Sequence, residues 1–357
     1  VVPDGYDPQV DFDSTDPLNN RTKYRTSLIP EDQTDGVTRD PSLLIATDPE
    51  IGGNDIIVGN AGNDRIFGGA ADDTINGNDG NDTTLGDLGR LDYTPATVGG
   101  EDGPALGDFV PATLNRARTT YQDKGGADTI YGDADNDIIF GGYNELEDDA
   151  LYGNTGDDVI FGDNGVMLFV PNEDTPNDPR DVYLDSLETL YRDTGGSDTI
   201  SGNAGEDILL GGTAADNIYG DDSLATAAAA DGEDIIFGDN GSIDLTTGVT
   251  GRLNAYGSSV NLIETTDTTE ATGGGDTIHG NAMGDVILGG VGGDDIFGDA
   301  PVQGGYDGDD LIIGDNGTIN FGTDTDDLES VISEIDAALG GVRIIENQIS
   351  SDRLIRA

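Results

Sequence analysis

Apolar residues recur along this chain singly and at wide, even intervals. They form neither helical faces nor alternating runs. Sixteen Asp residues set the phase: Asp55, Asp64, Asp73, Asp82, Asp128, Asp137, Asp149, Asp158, Asp198, Asp207, Asp216, Asp234, Asp276, Asp285, Asp294 and Asp310. Two positions after each stands an apolar residue, Ile in thirteen cases, Leu at 151 and 209, with Thr84 the exception. Two positions further a Gly follows in every copy. Another Gly often stands two positions before the Asp, as at Gly62, Gly80, Gly156, Gly205, Gly232, Gly292 and Gly308. The unit is nine residues long, as the steps from Asp55 to Asp82 show. One β-branched residue between Gly-rich turns predicts a short strand, and successive strands would stack their inward Ile into a ladder. The glycines supply positive φ without strain, and Asn60, Asn154 and Asn203 tolerate it.

A longer period overlies the short one. "LGDLG" stands at 85–89, "FGDNG" at 161–165 and 237–241, and "IGDNG" at 313–317, evenly spaced in a 76-residue super-repeat. A different pattern follows each mark: "RLDY" (90–93), "VMLF" (166–169), "SIDL" (242–245) and "TINF" (318–321). Each reads as a strand leaving the repeat. After a polar loop the chain returns through segments such as "SLLIATD" (42–48), "LETLYRDTGG" (187–196) or "LIETTDT" (262–268). These excursions predict hairpin-like β elements. The organisation expected is an N-terminal excursion at 1–51 ("VDF" at 10–12 aligning with "IDL"), then repeat units at 52–127, 128–197 and 198–275. A fourth repeat block at 276–316 and a C-terminal excursion at 317–357 complete it.

The charge balance changes what this fold needs. With 72 Asp+Glu against 15 Lys+Arg, the net charge is −57 over 357 residues. A compact state of that charge repels itself unless something neutralises it. Nucleic acid and anionic membrane are excluded as partners, since both need a basic surface. There is no Cys and one His, which removes disulfides, thiolate sites and histidine-rich metal sites. No apolar run reaches the ~20 residues of a membrane span. The chain opens on Val1 without a signal-like segment and reads as a processed or excised piece.

The nine-residue units resemble the RTX (hemolysin-type) calcium-binding nonapeptide repeat, G-G-x-G-x-D-x-U-x, over somewhat under half of the chain. The sequence departs from that pattern at the second Gly, which becomes Asp87, Asp133, Asp163, Asp239 or Asp315, and at the fourth position in Ala71, Ala214 and Met283. The resemblance implies an all-β fold, a parallel β-roll with calcium-binding turns, interrupted here by the excursions. It also implies that ions lie between turns on one edge, two units apart. Asp55 then pairs with Asp73, Asp64 with Asp82, Asp128 with Asp149, and Asp137 with Asp158. Asp198 pairs with Asp216, Asp207 with Asp234, Asp276 with Asp294, and Asp285 with Asp310. About eight Ca2+ ions or more follow. Asp87, Asp163, Asp239 and Asp315 join the expected ligands, together with the seven glycines named above. Stacked carboxylates one strand spacing apart repel unless a cation sits between them.

The residue after the inward Ile should point outward. It is aromatic in eight of sixteen units, for example Phe140, Tyr152, Phe161 and Phe297. Such a face is covered by the neighbouring excursion or by another subunit. No nucleophile elbow, zinc motif or P-loop is present, and His279 reads as structural, so no enzyme is expected. The Thr residues at 74, 83, 129, 199 and 277 are too scattered to suggest an ice-binding array. The expected role is a calcium-dependent structural segment of an extracellular or cell-surface protein, a rigid extender or filament. The alternative is an adhesin or binding module whose excursions recognise a glycan or protein. The apolar, basic tail at 341–357 is expected to add a strand to the N-terminal region of a following copy, head to tail.

Overall fold

The computed structural model describes residues 38–95, 109–110, 112–144, 148–171, 182–221, 232–247, 258–267, 269, 272–299, 308–321, 344–346 and 353–355. The match at 10–12 and most of the tail lie outside them. Every regular element in these residues is a β-strand.

The nine-residue units wind into one parallel β-roll. Odd units supply a front sheet of eight strands, including Ile56–Ala61, Thr74–Asp79, Thr129–Ala134 and Asp295–Asp299. Even units supply a middle sheet, running from Arg65–Phe67 through Ile138–Phe140 and Val159–Phe161 to Leu311–Ile313. Neighbours within each are parallel and in register, so Ile75, Ile130, Leu151 and Ile200 stack directly above one another. The inward ladders of the two sheets meet in a core that is almost wholly Ile and Leu. Thr84 occupies its expected rung and is buried.

The three internal excursions are hairpins, and they build a third sheet. Gly89–Pro95 pairs with Ala112–Thr119, Gly165–Pro171 with Val182–Thr189, and Gly241–Thr247 with Ser258–Thr265, all antiparallel. Leu43–Ile45 and Thr318–Asn320 are the outermost strands of this back sheet. Each hairpin has a bulge at the same place, before Tyr93, Phe169 or Leu245. A bulge re-aims the following side chain, and these three are buried against the middle sheet together with Phe321.

The roll does not stop at the punctuation marks. The strand before a hairpin pairs with the strand after it, as Thr83–Leu85 does with Ile138–Phe140. Each long period thus adds two strands to each of the three sheets. The apolar outward residues divide accordingly. On the middle sheet Phe140, Phe161, Leu210, Phe237 and Leu288 are covered by the hairpins, and Phe140 and Phe161 stack at 4.7 Å. On the front sheet the corresponding residues stay at the surface. Tyr131 stacks on Tyr152 at 5.0 Å, and His279 lies between Tyr219 and Phe297 at 5.2 and 4.7 Å. Burial lowers the pKa of His279, in keeping with a packing role. The tail adds Arg353–Ile355 in parallel to Leu311–Ile313 of its own chain, with Ile344–Glu346 beyond it.

Candidate metal centre

Each turn of an uninterrupted nine-residue step brings its Asp to one edge of the roll by bending the backbone twice into the left-handed region. Asn60 and Gly62 (φ 76° and 110°), Asn78 and Gly80 (78° and 123°), and Asn154 and Gly156 (77° and 131°) show the pattern. Gly205 and Gly292 take the same bend at 142° and 133°. Ala71, Ala214 and Met283 keep it without glycine, at 85°, 76° and 68°. The turn shape therefore survives where the sequence departs from the repeat. Gly232 and Gly308 stand where the chain returns after residues 222–231 and 300–307, outside the left-handed region.

The sixteen Asp form two uninterrupted ladders, one along each edge of the roll. In each ladder the backbone N–H of one Asp donates to Oδ1 of the next, at 2.7–3.1 Å. One edge runs Asp55, Asp73, Asp128, Asp149, Asp198, Asp216, Asp276, Asp294. The other runs Asp64, Asp82, Asp137, Asp158, Asp207, Asp234, Asp285, Asp310. All eight pairs expected from sequence are adjacent. The six further steps span the pairs that the sequence reading left separate, for example Asp73 to Asp128 at 2.8 Å, Asp158 to Asp207 at 2.8 Å and Asp216 to Asp276 at 2.9 Å.

The second carboxylate oxygen has no such partner. Oδ2 of Asp64, Asp73, Asp82, Asp128, Asp149, Asp158, Asp198, Asp207, Asp216, Asp234, Asp276 and Asp294 is buried and makes no hydrogen bond. Each points into a small cradle shared with glycine backbone. A Cβ on Gly59 would lie 2.7 Å from both Asp64 Oδ2 and the Gly77 carbonyl oxygen. Gly132 faces Asp137 Oδ2 and the Gly153 carbonyl in the same way, and Gly202 faces Asp207 Oδ2 and the Gly220 carbonyl. Any side chain there would fill the cradle. An unpaired carboxylate oxygen beside a carbonyl oxygen, closed off from water, is an all-oxygen donor set. That set suits a hard ion such as Ca2+. Among the described residues no three acidic or His side chains converge on one point, so backbone carbonyls must supply part of any coordination.

The electrostatics agree. Burial, with the neighbouring carboxylates, pushes Asp128 and Asp137 up to about 8 and Asp276 to about 7. Asp158 and Asp198 are raised to about 7, chiefly by burial. Asp149, Asp207, Asp216 and Asp234 are raised well above the usual carboxylate range by the same cause.

The Asp of each punctuation mark, expected from sequence to join the metal ligands, stands apart from the ladders. Asp87 accepts the Gly126 N–H (3.0 Å) and the Tyr143 N–H (2.5 Å). Asp163 accepts those of Gly196 (3.0 Å) and Thr213 (2.5 Å), and Asp239 those of Gly274 (2.9 Å) and Val291. Both oxygens are spent on backbone, and the carboxylate clasps the returning chain to the next coil. Asp315 is exposed. The rest of the mark is equally specific. A Cβ on Gly165 or Gly241 would strike the ring of Phe161 or Phe237, so the Phe lies over the glycine that launches the hairpin. The backbone carbonyls of Asn164 and Asn240 accept the N–H groups of Leu190 and Thr266 from the returning strand.

Residues 51–84, 119–142, 146–166, 193–223 and 270–300 match the RTX calcium-binding nonapeptide repeat family. No curated protein matches the chain.

Proposed function

We propose that this chain of RTX calcium-binding repeats is a calcium-dependent structural segment of a secreted or cell-surface protein, a rigid extender or a filament subunit. The observation that carries the reading is the pair of continuous ladders in which the Oδ2 atoms of twelve Asp residues, from Asp64 to Asp294, are buried without a hydrogen bond. Within one chain the fifteen ladder Asp other than Asp55 would hold the ions through Oδ2, with glycine carbonyls such as those of Gly77, Gly153 and Gly220 completing each site. Bound calcium supplies positive charge along the two edges where the carboxylates crowd.

The magnitudes make calcium a folding switch. Extracellular calcium modules bind with Kd of about 10⁻⁴–10⁻³ M. At ~10–100 times Kd each site stabilises the folded chain by roughly 1.4–2.7 kcal/mol. Summed over about eight sites or more, that equals or exceeds the ~5–15 kcal/mol by which domains are usually stable. At sub-micromolar calcium the contribution vanishes and the charge of −57 remains. Such a chain would be loose inside a cell and rigid outside it. The two ladders, with the hairpins clasped between successive coils, couple the periods into one rod, which is what an extender or filament requires.

The test is far-UV circular dichroism. In EDTA the spectrum should be that of a disordered chain, and millimolar calcium should convert it to a β spectrum, with magnesium far less effective. A β spectrum unchanged by EDTA would end the proposal.

A further inference from the structure

The two ends of the roll differ, and each carries what the other lacks. Gly86, Gly162 and Gly238 each face an Asp Oδ2 and the carbonyl of the next coil, supplied by Asp128 and Gly141, Asp198 and Gly211, or Asp276 and Gly289. Gly314, one full period after Gly238, holds the same place in the last coil, and a Cβ there would meet nothing within 4 Å. At the other end Asp55 faces no cradle glycine among the described residues.

We propose that a second copy of this chain docks its first coil on the last coil of the roll, and that its Asp55 and Gly68 carbonyl close the cradle at Gly314 into a calcium site shared between chains. The proposal rests on the calcium reading above and extends it to the junction.

Three further features complement one another in the same register. The Asp294 N–H would meet Asp55 of the incoming copy, continuing one ladder. The exposed Asp315 would take the Gly53 and Ala70 N–H groups, matching the clasps at Asp87, Asp163 and Asp239. In the back sheet Thr318–Asn320 is a leaving strand and Leu43–Ile45 a returning one, so abutting them makes the antiparallel pair found inside each hairpin. Exposed apolar side chains also gather at these ends, with Ile56 85%, Val58 51% and Phe297 47% exposed. The tail strand Arg353–Ile355 lies on Leu311–Ile313, where Arg65–Phe67 of an incoming copy would lie. Docking must displace it.

The chain has no Cys, which permits a direct test. Val58 and Phe297 occupy the same outward position in the first and last front strands. They are seven strand spacings apart in one chain, roughly 34 Å, but would be neighbours across the junction. The full chain carrying Val58→Cys and Phe297→Cys should form disulfide-linked oligomers in calcium on a non-reducing gel, and none in EDTA. Adding Asp55→Ala should cut the oligomer yield at least tenfold while the calcium-induced β spectrum is kept. Adding Leu354→Pro, which removes a backbone N–H from the tail strand, should raise the yield. A chain that folds in calcium yet stays monomeric overturns the junction alone, as do oligomers indifferent to Asp55→Ala. A yield unmoved by Leu354→Pro overturns the competition by the tail. A chain that never folds in calcium removes the parent reading and the junction with it.

Discussion

Replacing Asp158 by Asn should change stability in opposite directions with and without calcium. Asp158 is fully buried, accepts the Asp137 N–H at 2.7 Å through Oδ1, and donates its own N–H to Asp207 at 2.8 Å. Asparagine preserves both bonds. It replaces the unpaired Oδ2 with an amide group facing the Gly202 carbonyl, which lies across the Gly153 cradle. Without calcium at mildly alkaline pH, the native carboxylate must ionise in a site that raises its pKa to about 7. Three units above the ordinary value correspond to roughly 4 kcal/mol of destabilisation as an upper bound, which Asn removes. With calcium the same change deletes a charged ligand, and the variant should lose roughly 1.4–2.7 kcal/mol. Folding midpoints by circular dichroism would measure both arms. The metal-free chain would be titrated with a stabilising osmolyte in EDTA, and the loaded chain with urea in millimolar calcium. If the variant is no less stable than the native chain in calcium, Asp158 serves only as a hydrogen-bond acceptor and the cation-holding role of the ladder is wrong.

Acid should partly replace calcium. Because burial raises the ladder carboxylates, with Asp128 and Asp137 near 8 and Asp198 and Asp276 near 7, the folded metal-free chain binds more protons than the unfolded one between about pH 4 and 8. Its stability therefore falls as pH rises through that window, and in EDTA the β spectrum should grow on acidification towards pH 5, while calcium affinity should weaken over the same range. The clasp gives a second test. Asp163→Ala leaves the N–H groups of Gly196 and Thr213 without their acceptor at a buried site, which should cost on the order of 2–5 kcal/mol and lower the unfolding midpoint in calcium. An unchanged midpoint would show that the hairpin is held by packing alone.

The nine-residue phase was enough to find the inward ladder, the turn conformations and the pairing of alternate Asp residues. The joining of successive blocks was not legible, because Asp73 and Asp128 lie far apart in sequence and only a hairpin that returns to its point of departure brings them together. A local signal for the covered face did exist. The residue directly after the ladder Asp is small or polar in seven of the eight front-sheet units, such as Thr129, Ala150, Thr199 and Thr277, and aliphatic in six of the eight middle-sheet units, such as Ile138, Val159, Ile208 and Val286, with Ile56, Arg65 and Thr83 the exceptions. Reading that position alongside the outward aromatic would have assigned the hairpins to one side of the roll. Asp87, Asp163 and Asp239 could not be told from ladder residues by type, since an Asp in a Gly-rich turn looks the same whether its oxygens face a cation or backbone N–H groups.

That every long period gives two strands to each sheet makes the molecule a ruler with a fixed graduation. Two coils advance the roll by two strand spacings, roughly 10 Å, and the two strands of a hairpin advance the back sheet by the same distance. The layers therefore stay commensurate over any number of periods. Removing a single pair of nine-residue units would shorten the roll by one rung and leave the back sheet one strand ahead, a mismatch that grows with each repetition. Length variants of such a rod should come in whole periods.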